Sequence, residues 1–137
     1  MELRWLDETI AVSPQVRPEA LPDIAAQGVV MLINNRPDGE DYGQPTSAAM
    51  EAAARAAGLA YRHIPVSHGG LSQVQVDAMA AALAEAGGPV LGYCRAGVRS
   101  AFLWALSRAQ AGDDREDIIG KASQAGYDLS PIAHYLA

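Results

Sequence analysis

Short apolar runs bounded by turn residues alternate with longer Ala-rich stretches of helical character along all 137 residues. Parallel strands cannot be joined by a tight turn, so a chain that alternates in this way uses its helices as crossovers. The pattern predicts an α/β domain with a largely parallel sheet. Strands are expected over Thr9 to Val12, Val29 to Asn34, Tyr61 to Val66 and Pro89 to Tyr93. With half of its residues hydrophobic, the chain can bury one core and is too short for two comfortable domains, so residues 1–137 read as a single catalytic domain.

The helices announce themselves by their ends. One should begin near Pro18 and stop at Gly28, and another should start from a Thr46 or Ser47 cap and end at Gly58. Ser72 and Gln75 have capping-box spacing, which starts a third helix that runs to Gly87 and Gly88. A fourth should cover Ser100 to Ala111, a fifth should follow Asp113 or Asp114 to about Gly126, and Ser130-Pro131 opens a short last one.

Net charge of −6 argues against a chain that tracks phosphates along a nucleic acid, so any anion site must be local. No apolar run approaches the ~20 residues of a spanning helix, and charges stand where a signal peptide would be apolar. The expectation is a cytoplasmic protein with no membrane and no nucleic-acid partner. Cys94 is the only cysteine, which removes any intramolecular disulfide and any multi-thiolate metal site; no His or carboxylate spacing suggests a metal, and no cofactor is expected.

A lone cysteine is ordinarily a small buried hydrophobe. Here it stands between an apolar strand and a helix, at the head of Cys94-Arg95-Ala96-Gly97-Val98-Arg99. Converging backbone N–H groups and a helix N-terminus make such a loop an anion site, and the same positive surroundings can lower a thiol pKa from ~8.5 to ~3.5–7.5. Cys94 is thus the candidate nucleophile, with Arg95, Ala96, Gly97 and Val98 forming the anion loop. Arg99 offers a planar fork for two oxygens of a tetrahedral anion, which Lys does not. Ser100 either donates to the thiolate or caps the helix.

The string from Tyr93 to Ser100 resembles the active loop of rhodanese sulfurtransferases and is similar to the Cys-x5-Arg-Ser loop of dual-specificity phosphatases. Ser13 with Gln15, the run from Asn34 to Glu40, Gln44-Pro45, Ile64-Pro65-Val66 and the stretch from Cys94 to Leu106 resemble the phosphatase-like domain of beta-lactamase-hydrolase-like proteins. The resemblance covers roughly Thr9 to Leu106. It implies a protein-tyrosine and dual-specificity-phosphatase-like fold, a mostly parallel central sheet with helices on both faces. Members of that family are described as phosphatase-like and as sulfurtransferases, and some are fused to a metallo-hydrolase of the persulfide-dioxygenase kind.

Three features lean toward sulfur. Four residues separate Cys94 from Arg99, one fewer than in the dual-specificity loop, which removes up to ~3.5 Å of contour and tightens the cradle. The phosphatase histidine is replaced by Tyr93, and the loop after Ile64-Pro65 reads Ser67-His68-Gly69-Gly70 where dual-specificity phosphatases carry an acidic Asp. His68 is either the replacement acid or a solvated loop histidine. Arg36, Asp38 and Glu40 follow a strand, so they either face the Cys94 loop, with Asp38 or Glu40 as an acid and Arg36 and Glu40 at the substrate, or form a turn whose Asp and Gly serve only the backbone.

The first expectation is therefore a sulfurtransferase that takes sulfane sulfur from thiosulfate or a persulfide as a Cys94 persulfide. It would pass the sulfur to a thiol acceptor such as glutathione, in functional link with a persulfide-dioxygenase-like metallo-hydrolase. The alternative is a phosphatase that acts on a phosphate ester through a phosphocysteine at Cys94 with Arg99 on the phosphate. A third class is a redox sensor built on an exposed thiol.

Overall fold

The computed structural model describes residues 3–67 and 70–136. The strands are β1 (Arg4–Trp5), β2 (Ile10–Ser13), β3 (Met31–Asn34), β4 (Ala60–His63) and β5 (Val90–Tyr93). The helices are α1 (Leu21–Ala26), α2 (Ser47–Ala56), α3 (Gln73–Glu85), α4 (Val98–Gln110) and α5 (Arg115–Gln124), with 3-10 turns at Pro18–Ala20 and Ser130–Tyr135. The sheet runs β1-β2-β5-β3-β4, antiparallel only between β1 and β2. This is the mostly parallel α/β sheet that the alternation of elements predicts.

Side chains alternate across each strand, and this splits the interior into two cores. Ile10, Val12, Met31, Ile33 and Val90 face α3, α4, α5 and the C-terminal turn. Ala11, Leu32, Leu91 and Tyr93 face α1 and α2. Both faces of the sheet are covered, which is why its central strands are apolar throughout rather than alternating with polar residues.

The local end signals do their work. Thr46 Oγ1 accepts the Ala49 N–H at 3.1 Å at the start of α2, Gln75 Oε1 reaches back to the Ser72 N–H at 2.7 Å, and Asp114 accepts from Asp117 at 3.3 Å. Several boundaries differ from expectation, β3 among them, which starts at Met31 rather than Val29. The helix from Pro18 opens as a 3-10 turn before α1, β4 stops at His63 so that Ile64 to Val66 are irregular, and α4 begins at Val98 rather than at Ser100. β1 is an unanticipated edge strand, too short to leave a pattern. Among the described residues no helix is long and apolar enough to cross a membrane.

Candidate active site

Ser13, Tyr93, Asn34 and His63 are partners across the four parallel strands, so the loops that follow them open on one rim. Backbone bonds tie those loops together: the Asn35 N–H donates to Tyr93 O at 2.8 Å and the Gln15 N–H to Arg95 O at 3.4 Å. The chain leaves β5 at Tyr93, which is buried; burial pushes its phenol well above the usual range and keeps it neutral. Cys94 comes next, 1% exposed.

The loop turns back on itself at Gly97, whose φ of +90 lies in the left-handed region that glycine enters without strain. That turn aims the Gly97 N–H at Cys94 Sγ, 3.1 Å away, and launches α4 immediately afterward. The sulfur thus accepts a hydrogen bond at a helix N-terminus, where the helix dipole favours negative charge. Glycine is required here twice over, because a Cβ would run into the Tyr127 hydroxyl. Tyr127 in turn donates to Ala96 O at 3.4 Å and lies under the Arg4 guanidinium, 5.5 Å from its ring centroid. A residue beyond α5 therefore wedges the loop from behind.

Arg99, on the first turn of α4, is 9% exposed. Its Nη1 donates to Glu40 Oε2 and to the Val66 carbonyl, each at 2.6 Å, and its Nη2 donates to Glu40 Oε1 at 3.0 Å. Glu40 takes the end of the guanidinium through one proton of each Nη, so the Nε–H and the second Nη2 proton, side by side on the adjoining edge, have no hydrogen-bond partner among the described residues and can receive two oxygens of an anion. Glu40 also accepts from Arg36 Nε at 2.8 Å. The Arg99 guanidinium, and after it Arg36, hold the Glu40 carboxyl at about 2, against burial that pushes the other way. Glu40 is an anion throughout the ordinary pH range and serves as counter-ion and orienter of Arg99, not as a ligand for a negatively charged substrate.

Arg36 lies on the rim at 3% exposure with each nitrogen engaged, by Glu40, by Gln15 Oε1 at 2.8 Å and by Asp41 at 2.7 Å. It braces Glu40 rather than offering an open fork. Arg95 is the outward cation, paired with Asp41 at 3.4 Å and largely exposed. Asp38 accepts the Ser47 backbone N–H at 2.7 Å at the start of α2, the backbone-serving alternative of the Arg36 to Glu40 turn. Ser100 donates its hydroxyl proton to Asn35 Oδ1 at 2.7 Å, not to the thiol; Asn35 in turn donates to Ile64 O at 2.9 Å. Ser100 also does not cap α4, because Gly97 precedes the first helical residue. His68 lies outside the described residues, and His63 bonds Arg36 O through Nε2 at 2.7 Å.

Asn35, Asp41, Tyr127 and the Val66 carbonyl also build the site, although no local pattern gives them a role: Asn35 and Asp41 flank the Arg36 to Glu40 run and Val66 closes Ile64-Pro65-Val66, whereas Tyr127 reaches the loop through tertiary contact alone. Above the loop lies a groove of about 1120 Å³ that includes Cys94, Arg95, Ala96, Val98 and Arg99. No carboxylate lines it among the described residues.

Comparison with known proteins agrees with this geometry. Residues 2–111 match the family described as beta-lactamase hydrolase-like protein, phosphatase-like domain. A beta-lactamase hydrolase-like protein of Agrobacterium fabrum is 36% identical over 132 residues, covering 96% of this chain and 31% of its own length. The chain thus spans about a third of the curated relatives it matches. A crystal structure of a candidate phosphatase from Neisseria meningitidis superposes with a TM-score of 0.84 at 34% identity, covering 96% of this chain and 94% of that one. A candidate protein tyrosine phosphatase from Leishmania major shares the fold at a TM-score of 0.72 and 17% identity, covering 99% and 97%. The chain belongs to the phosphatase-like domain family of beta-lactamase hydrolase-like proteins.

Proposed function

We propose that the domain is a cysteine-dependent phosphatase-type hydrolase that works through a phosphocysteine at Cys94. The observation that carries this reading is the pairing of one sulfur, held by the Gly97 N–H at 3.1 Å, with an Arg99 fork that Glu40 fixes end-on. The fold family and the candidate phosphatase from Neisseria support it. Cys94 Sγ attacks phosphorus opposite the ester oxygen; the S–P bond forms as the P–O bond breaks, and the departing oxygen takes the electron pair and a proton. The free Arg99 edge and the loop N–H groups hold the remaining oxygens where charge is spread in the transition state. Water then cleaves the S–P bond, releasing phosphate and the free cysteine.

With no carboxylate over Cys94 among the described residues, the proton for the leaving group comes from solvent or from His68, which follows Val66 closely in sequence. An Asp or Glu acid is typically worth 10²–10⁴ in rate. Its lack predicts a steep dependence on leaving-group acidity. Hydrolysis of p-nitrophenyl phosphate should be vanadate-sensitive and abolished in Cys94→Ser; turnover that persists in that variant refutes the reading.

The four-residue loop and the missing carboxylate favour a second reading, sulfur transfer. Cys94 Sγ would attack the outer sulfur of thiosulfate, form a persulfide and expel sulfite with the bonding pair, a leaving group that needs no proton. A thiol such as glutathione would accept the sulfur, and a persulfide-dioxygenase-like metallo-hydrolase would be the functional companion. Intact mass after exposure to thiosulfate separates the two: one added sulfur on Cys94, with p-nitrophenyl phosphate left intact, decides for this second reading.

A further inference from the structure

The groove that contains Cys94 does not end at the anion loop. One face of α4 carries Val98, Phe102, Leu106 and Ala109 away from the sulfur, a stripe ~16 Å long at helical rise. Leu71 and Val76 line the groove beside it, and so does Ile132 from the C-terminal 3-10 turn. At about 1120 Å³ it exceeds the ~300–1,000 Å³ of pockets that hold drug-sized molecules, so a bare inorganic anion would leave nearly all of it empty. Among the described lining residues the only charges are Arg95 and Arg99, both at the Cys94 end. At the far end Gln73 and Gln110 bond each other and Asp77, closing α3 against α4.

We infer that the substrate is an anionic monoester with an extended apolar chain: the anion sits in the Cys94–Arg99 loop and the chain lies along α4 over Phe102 and Leu106. This deepens the phosphatase reading and rests on it for the identity of the head group. The groove is continuous with the cradle through Val98 and Arg99, which fixes which end of the ligand points where. One cationic end and an uncharged length with an apolar α4 wall match a single-headed amphiphile. Ser67, Ser72, Gln73 and Tyr135 make the rest of the lining mixed, but from Phe102 to Ala109 the lining α4 side chains offer no polar partner, and a phosphopeptide laid along that wall would leave its amides on that side unpaired.

The test is calorimetric binding of n-alkylphosphonates from ethyl to decyl, below their aggregation concentrations, to the intact chain. Each buried methylene should tighten binding about two- to fourfold, up to the length of the groove. Leu106→Asn should flatten that slope, read as the decyl-to-butyl ratio within the variant so that general effects on folding or head-group binding cancel. A flat series in the wild type, an unchanged slope in Leu106→Asn, or tighter binding of a phosphotyrosyl peptide than of decylphosphonate overturns the inference. Turnover of the matching alkyl phosphates is scored separately in Cys94→Ser: steep binding without Cys94-dependent hydrolysis rejects the phosphatase reading and leaves the chain site standing.

Discussion

Replacing Glu40 with Gln removes the charge that joins Arg36 to Arg99 while keeping the side-chain shape. The carboxyl falls from an ordinary 4.5 to about 2 in the folded protein, a gap worth about 3 kcal/mol when fully expressed. Glu40 and both guanidiniums are mostly shielded from solvent, at 14%, 4% and 11% side-chain exposure, so screening removes little of this. Because the folded value lies below the unfolded one, the stabilisation is complete above about pH 5 and is lost as pH falls toward about 2. Urea unfolding at neutral pH should find Glu40→Gln about 3 kcal/mol less stable, roughly 10 °C in Tm for a domain of this size. The two proteins should converge as the solution is acidified. Losing the end-on clamp also frees Arg99 to rotate, so kcat/KM should fall on the order of 10²-fold. A stability difference below about 1 kcal/mol, or one that stays constant between neutral and acid pH, refutes the assignment of Glu40 as orienting counter-ion.

Gly97→Ala should nearly abolish activity, since it demands a strained φ, costing about 1–2 kcal/mol, and a clash with Tyr127. Adding Tyr127→Ala should recover only the steric part, which a thermal melt of single and double variants resolves. Arg99→Lys cannot grip Glu40 and an anion with one planar fork, so kcat/KM for p-nitrophenyl phosphate should drop on the order of 10²-fold while expression persists. Ser100→Ala leaves buried Asn35 Oδ1 without its donor; denaturant unfolding should show a loss of about 1–3 kcal/mol, with no change in the thiol's reactivity toward iodoacetamide beyond that of folding.

What the sequence made legible was local. Thr46, Ser72 and Asp114 could be placed as helix starts because a cap and its acceptor lie within one turn. Cys94, Gly97 and Arg99 were legible because strand, loop and helix are consecutive. The start of α4 was misplaced by two residues, since Val98 and Arg99 carry no start signal of their own and it is the left-handed Gly97 that begins the helix. Arg36, Asp38 and Glu40 were expected on the rim, yet their pattern could not show that Glu40 pairs with Arg99 while Asp38 turns to Ser47. Tyr127 was invisible for the same reason: its wedge against Gly97 exists only after α5 has packed.

The central claim is that Cys94 forms a covalent bond to the group transferred. Acid quenching during turnover of a radiolabelled aryl phosphate, followed by digestion and mass analysis, tests it directly. The account predicts label on the peptide that contains Cys94, at up to one phosphoryl group per chain, and none in Cys94→Ser. Steady turnover with label on no cysteine, or on another residue, contradicts it.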